Sequence, residues 1–234
     1  MVLYYVRHGH PIYSPDKLTA LGKRQAEAVG KRLAMLGVDR IFSSTSNRAI
    51  ETALPLSEMT GVKIELVDFA NELHMAKNFK VDNGTGKKQW VSDIPDIRRL
   101  LAKPQIKTDF QWYEHPDFER YSFQQGIERI QREADIFFEN LGYKHIRENG
   151  YYEPISPTKE RIAFFAHAEF GKMFMSFILD IPYPQMVNQF SMEYTGMTVL
   201  TFEEKFGYCI PNVQMYSGDG HIYKEGLPKD YRIN

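Results

Sequence analysis

Short runs of apolar, β-prone residues alternate along this chain with stretches whose apolar residues recur at helical spacing, and that alternation most constrains the fold. "VLYYV" at 2–6, "DRIFSS" at 39–44, "KIELV" at 63–67 and "RIAFFA" at 161–166 read as strands. The first is wholly apolar, the pattern of a strand covered on both faces. Between strands, Leu21, Val29, Leu33 and Leu36 follow a helical period from an N-cap at Thr19 to a stop at Gly37. Ser46 as N-cap and Gly61 as stop bracket a second helix. Ile127, Ile130, Ala134, Phe137 and Leu141 form one stripe of a third. "EFGKMFMSFILD" continues as helix after the fourth strand, and "GMTVLTFEE" with "GYCIPN" reads as a closing strand pair. Strand and helix in turn predict a three-layer α/β/α domain around a mostly parallel central sheet.

The period fails from about residue 73 to 122, where "NGTGKKQW", several prolines and mixed charges fall together. This stretch reads as an insertion over the active-site crevice, with one short helix around 94–101. A chain of 234 residues otherwise suits a single domain, 1–234. The formal net charge of −1 favours neither nucleic acid nor an anionic membrane as partner, so any anion site must be local. Cys209 is the sole cysteine, which rules out an internal disulfide framework and suits a reducing compartment. With no secretory signal and no apolar run near the ~20 residues that span a bilayer, a soluble cytoplasmic protein is expected.

Ligand crevices in such sheets lie beyond the carboxyl ends of the strands. Here those ends carry Arg7 and His8, the lead-in to Arg48, and His167. Two arginines and two histidines make an electropositive pocket suited to phosphate. The guanidinium fork meets two oxygens at once and never loses its charge. A helix starting near Asn47 adds backbone N–H donors. Guanidinium charges also disfavour a second proton on His8, and an imidazole attacks only through an unprotonated nitrogen. The chemistry that fits is phosphoryl transfer to histidine, then to water.

"RHG" after the first strand, "LTALGKRQA", "SSTSNRAIETA" and the lone histidine of "FFAHAEFG" together resemble the histidine phosphatase superfamily, the phosphoglycerate mutase-like proteins. The resemblance runs from the first strand to the last, outside the middle insertion. It implies a metal-independent hydrolase of small-molecule phosphomonoesters that needs no cofactor. His8 is then the phosphate-accepting nucleophile, Arg7, Arg48 and His167 the phosphate pocket, and His167 also part of the catalytic set. Glu72, in "ANELHM", is the acid that protonates the departing oxygen, with Asp68 the alternative. A positioned acid contributes about 10²–10⁴-fold. This sequence departs from the family pattern at His10 and Pro11, where no asparagine follows, at Ala168 in place of glycine, and after Glu72.

Other readings compete. His8 and His10 form an H-x-H pair, as in metal hydrolases, which leaves Arg48 and its motif without a role. "NGTGKK" lacks the first glycine and the closing Ser or Thr of a nucleotide-binding loop. His10 and His221 read as turn residues near the pocket. Within the family, a mutase returning the phosphoryl group to a second hydroxyl, or a non-catalytic phosphate-binding relative, stands as the alternative to a phosphatase.

Overall fold

The computed structural model describes residues 1–229. Six strands form the central sheet: β1 (Val2–Arg7), β2 (Arg40–Ser44), β3 (Ile64–Val67), β4 (Arg161–Ala166), β5 (Met197–Thr201) and β6 (Asn212–Gly218). Their order across the sheet is β6-β5-β1-β4-β2-β3. β1, β4, β2 and β3 pair in parallel, whereas β5 runs antiparallel to both β1 and β6. Five longer helices cover it: α1 (Ala20–Leu36), α2 (Asn47–Thr60), α3 (Glu72–Phe79), α4 (Phe123–Asn140) and α5 (Ala168–Leu179).

Side-chain alternation along β1 divides the core into two layers. Tyr4 and Val6 pack with Val29 and Leu33 of α1 and with Ala53 and Leu56 of α2. Leu3 and Tyr5 join the larger cluster on the opposite face, with Phe137 and Phe138 of α4 and Phe170 and Phe174 of α5. Burial on both faces is why β1 and β4 read as unbroken apolar runs. The α/β expectation, a mostly parallel sheet between helices, is met.

Local chemistry sets the helix ends. The Thr19 hydroxyl accepts from the Gly22 N–H at the start of α1, and Gly37 ends it at φ 80°, which glycine adopts at no steric cost. Gly61 closes α2 in the left-handed region at φ 73°. Ser46 does occupy the α2 N-cap position, but its hydroxyl makes no cap bond.

Two stretches differ from their sequence reading. The aperiodic segment opens with α3, followed by a hairpin of Lys80–Asp82 with Lys88–Trp90, the expected short helix at Pro95–Leu101 and a further one at Pro104–Lys107. Phe79, Ile97, Leu101, Trp112 and Phe118 of this segment are buried in the larger core cluster. Elements this short complete too few turns to display a period. The closing strand pair forms only as a tight hairpin, Glu204–Lys205 with Tyr208–Cys209, reversed at Phe206 and Gly207, both at positive φ. It belongs to a separate four-stranded sheet with Tyr143–Ile146 and Tyr151–Pro154, while β6 is the partner of β5.

Candidate active site

Strand register brings the chemistry to one end of the sheet. Arg7 lies opposite Ala166 in the β1–β4 ladder, so His8 and His167 leave their strands side by side, with ring centroids 5.2 Å apart. β2 ends at Ser44 and feeds α2, whose second residue is Arg48. β3 leads through the turn Asp68–Ala70 to Glu72, the first residue of α3. β5 enters from the same end and so delivers Tyr194 and Thr195 just before its first residue.

His8 is almost fully buried, at 2% exposure. Its Nδ1 lies 2.8 Å from the Gly9 carbonyl oxygen, which can only accept, so Nδ1 carries the proton and the Nε2 lone pair is free. Burial, then the charge of Arg7, holds its proton affinity well below that of an ordinary histidine, with Arg48 adding to the effect. The loop is pinned where Gly9 N–H donates to Thr52 Oγ1 at 3.0 Å. A Cβ on Gly22 would stand 2.2 Å from the His10 carbonyl oxygen, so only glycine lets α1 approach this loop so closely.

Both arginines are anchored yet incompletely used. Arg7 Nη1 donates to the Met192 carbonyl at 2.5 Å, and its guanidinium carbon lies 3.9 Å from the centre of the Tyr194 ring. Arg48 Nη1 donates to Asp16 at 2.8 Å, and its Nη2 to Glu72 Oε2 at 3.2 Å and His167 Nδ1 at 3.1 Å. The Nε atoms of Arg7 and of Arg48 are buried with no partner. An unpaired buried N–H is costly, so these two donors mark where an anion would be held.

His167 is fully buried. Because a guanidinium only donates, its Nδ1 accepts from Arg48, and Nε2 carries the proton toward Ser44 Oγ at 2.9 Å and Ser46 Oγ at 3.2 Å. Burial, then competition with His8 for a proton and the charges of Arg48 and Arg7, holds the proton affinity of His167 well below that of an ordinary histidine. The Ser46 hydroxyl, which makes no cap bond at α2, lies against His167 instead.

Glu72 and Asp68 separate clearly. Burial raises the Glu72 carboxyl above the usual range against the pull of Arg48, and its Oε1 accepts from the Glu169 N–H at 3.3 Å. Asp68 is mostly exposed, and bonds from Thr45 Oγ1 and His74 Nε2 lower its pKa. Of the two, only Glu72 touches Arg48, and only Glu72 holds a proton more tightly than a free carboxyl.

His10 and His221 stand apart from the reacting centre. His10 Nδ1 meets Thr19 Oγ1 at 3.1 Å. His221 is buried behind the loop, its Nε2 3.0 Å from Thr195 Oγ1, and burial with Arg32 nearby pushes its pKa down to about 4. Among the described residues, no group of three or more His, Cys, Asp or Glu is arranged to hold a metal ion. Within those residues the H-x-H pair has no third such side chain beside it. Sequence reasoning missed Asp16, Ser44, Thr52 and Tyr194. Serines 44 and 46 both precede Arg48 in the "SSTSNR" motif, which is the signal that could have found them; Asp16 and Tyr194 carry no local signal.

A sequence profile of the histidine phosphatase superfamily (branch 1) matches residues 3–135. The "Probable phosphoglycerate mutase" of Yersinia enterocolitica is 29% identical over 82 residues, which cover 31% of this chain and 38% of that protein. The chain thus matches well under half the length of that curated relative. Among solved structures, "Mycobacterial hydrolase 1" superposes with a TM-score of 0.62 at 18% identity, over 93% of this chain and 99% of its own. A phosphoserine phosphatase mutant from Entamoeba histolytica, in complex with phosphoserine, gives 0.61 at 18% identity over 94% and 98%. Mycobacterial glucosyl-3-phosphoglycerate phosphatase with VO3 gives 0.60 at 17% identity over 92% and 98%. Similarity at these identities is a similarity of fold.

Proposed function

Because this chain belongs to the histidine phosphatase superfamily, we propose that it hydrolyses small-molecule phosphomonoesters through a phosphohistidine on His8, without a metal. The observation that carries this reading is a buried, neutral His8 with its Nε2 lone pair free, beside two arginines whose buried Nε–H groups have no partner. Arg7 and Arg48 would hold the phosphoryl oxygens, and His167 would fix Arg48. The Nε2 lone pair attacks phosphorus as the P–O bond to the alcohol breaks, and Glu72 gives its proton to the leaving oxygen. Water then attacks phosphorus and Glu72 takes its proton. The N–P bond breaks, returning its electron pair to His8 and releasing inorganic phosphate.

A crevice lined by Arg7, His10, Asp93, Glu193, Tyr194 and Asp219 adjoins this centre and would receive the leaving group. Two of the solved relatives named above are phosphatases of phosphoserine and of glucosyl-3-phosphoglycerate, so a phosphorylated small metabolite is the substrate class proposed. The Yersinia relative supports a second reading, in which the phosphoryl group returns to a second hydroxyl instead of water.

The test is hydrolysis of p-nitrophenyl phosphate in excess EDTA, with alkaline trapping of labelled enzyme. Turnover that survives EDTA, disappears in His8→Ala and leaves an acid-labile, base-stable label is the expected result. Activity lost to EDTA and restored by a divalent cation would refute the reading. Retained label that passes only to an added hydroxyl acceptor would favour the mutase.

A further inference from the structure

Helix α2 starts without help from its own N-cap residue. A serine there ordinarily accepts a hydrogen bond from the first turn, but the Ser46 hydroxyl lies 3.2 Å from His167 Nε2 and makes no cap bond. The missing acceptor comes from a distant hairpin, Pro11–Tyr13 with Asp16–Leu18. Asp16 Oδ2 accepts from the Asn47 N–H at 2.9 Å, and its Oδ1 accepts from Arg48 Nη1 at 2.8 Å. The same hairpin is fastened one turn along α2, where Leu18 N–H donates to Glu51 Oε2 at 2.7 Å. One carboxylate thus caps the helix and grips the side chain at its second residue.

We infer that Asp16 is a positioning residue for Arg48: it fixes the guanidinium at Nη1 so that the remaining N–H groups stay aimed at the phosphoryl site. This rests on the reading above that Arg48 holds phosphate. The arginine stem is long and rich in rotamers, and its freedom must be removed before its charge can act on one point. Nη2 is engaged by Glu72 and His167, so Asp16 completes a clamp on both terminal nitrogens and leaves the buried Nε without a partner. The side chain is only 9% exposed, so solvent does little to hold it. Diverting Ser46 to His167 and supplying the cap from Asp16 couples the histidine, the arginine and the helix start in one arrangement.

The inhibition constant of inorganic phosphate and the KM for p-nitrophenyl phosphate test this in wild type, Asp16→Ala, Asp16→Asn, Arg48→Ala and the Asp16→Ala/Arg48→Ala double variant, each confirmed folded by thermal melting. Asp16→Ala should raise both constants about tenfold, with kcat within about threefold of wild type. Asp16→Asn, which keeps an acceptor for Asn47 N–H but loses the charge, should fall between. Adding Asp16→Ala to Arg48→Ala should cause no further rise. An equal rise with and without Arg48 would make Asp16 a support of the fold and overturn the inference. So would tighter phosphate binding in Asp16→Asn, because the carboxylate would then be neutralising Arg48. Wild-type phosphate affinity in Arg48→Ala would instead remove the phosphate role of Arg48, and the clamp with it.

Discussion

Glu72 and Asp68 leave the end of the same strand, and their surroundings drive them in opposite directions. Asp68 is exposed and held ionised by Thr45 and His74, whereas burial keeps a proton on Glu72 to higher pH. A general acid must be protonated while the nucleophile is not. His8 loses its proton below the usual histidine range, and Glu72 keeps its own above the usual carboxylate range. Activity on alkyl phosphates should therefore peak on the acid side of neutrality, falling with rising pH as Glu72 ionises. Glu72→Gln should cost about 10²-fold or more in kcat/KM, which reports leaving-group departure and not the later attack of water, on an alkyl phosphate and far less on p-nitrophenyl phosphate, whose leaving group needs little protonation. Equal losses on both would show that Glu72 does not deliver the proton. Arg7, His8, Arg48, Glu72 and His167 could be picked out in the sequence because each follows a recognisable strand end or motif. Asp16 and Tyr194 could not, because what they touch is decided by how a hairpin and an antiparallel strand return to the site.

At the level of elements, the parts that were legible are those whose burial repeats over many residues. β1 and β4 are covered on both faces and show it in the apolar runs at 2–6 and 162–166; α4 buries a stripe long enough to count. The segment after β3 hides its structure because its elements span only three to eight residues each, and its apolar residues are set by contacts with distant partners. Trp112 is the clearest case. It is 1% exposed, stacks on Tyr183 with ring centroids 5.6 Å apart, and meets Phe118 at 5.1 Å and Phe123 at 5.3 Å. Its position makes the segment part of the core and not a detachable cover. Trp112→Ala should lower stability by about 3–5 kcal/mol in urea unfolding. A loss below about 1 kcal/mol, within the range of surface substitutions, would mean that the segment folds separately from the rest.

Across the whole molecule, the histidines set how stability responds to pH. His8, His167 and His221 are buried, and burial is the first cause lowering the pKa of each, His221 to about 4. In the unfolded chain each would protonate near pH 6.5. Below that pH the unfolded state takes up protons that the folded state refuses, so stability falls, by up to about 1.4 kcal/mol per pH unit for each histidine. His145 runs the other way. Burial opposes its charge, but Asp135 and Asp180 outweigh that and raise its pKa. Its stabilisation is complete below about pH 6.5 and is lost as pH rises through the folded value. Glu72 and Asp93, both raised first by burial, hold protons in the folded state that they lose on unfolding, and so offset part of the acid loss. Three histidines, joined by Glu65, Asp68, Asp117 and Asp135, whose lowered pKa values also cost stability toward acid, outweigh the two raised carboxylates and leave the acid limb falling. On the other side the loss at His145 is partly offset by the Met1 amine, whose pKa burial lowers. Thermal midpoints should therefore peak near pH 6.5 and drop more steeply toward pH 4.5 than toward pH 8.5. His221→Asn should flatten the acid limb by about one proton, because it removes one group that must stay neutral to remain folded. If that variant keeps the full slope, His221 is protonated inside the fold, and Thr195, which binds the backbone of Arg7 and His8, would rest against a charge instead of a neutral ring.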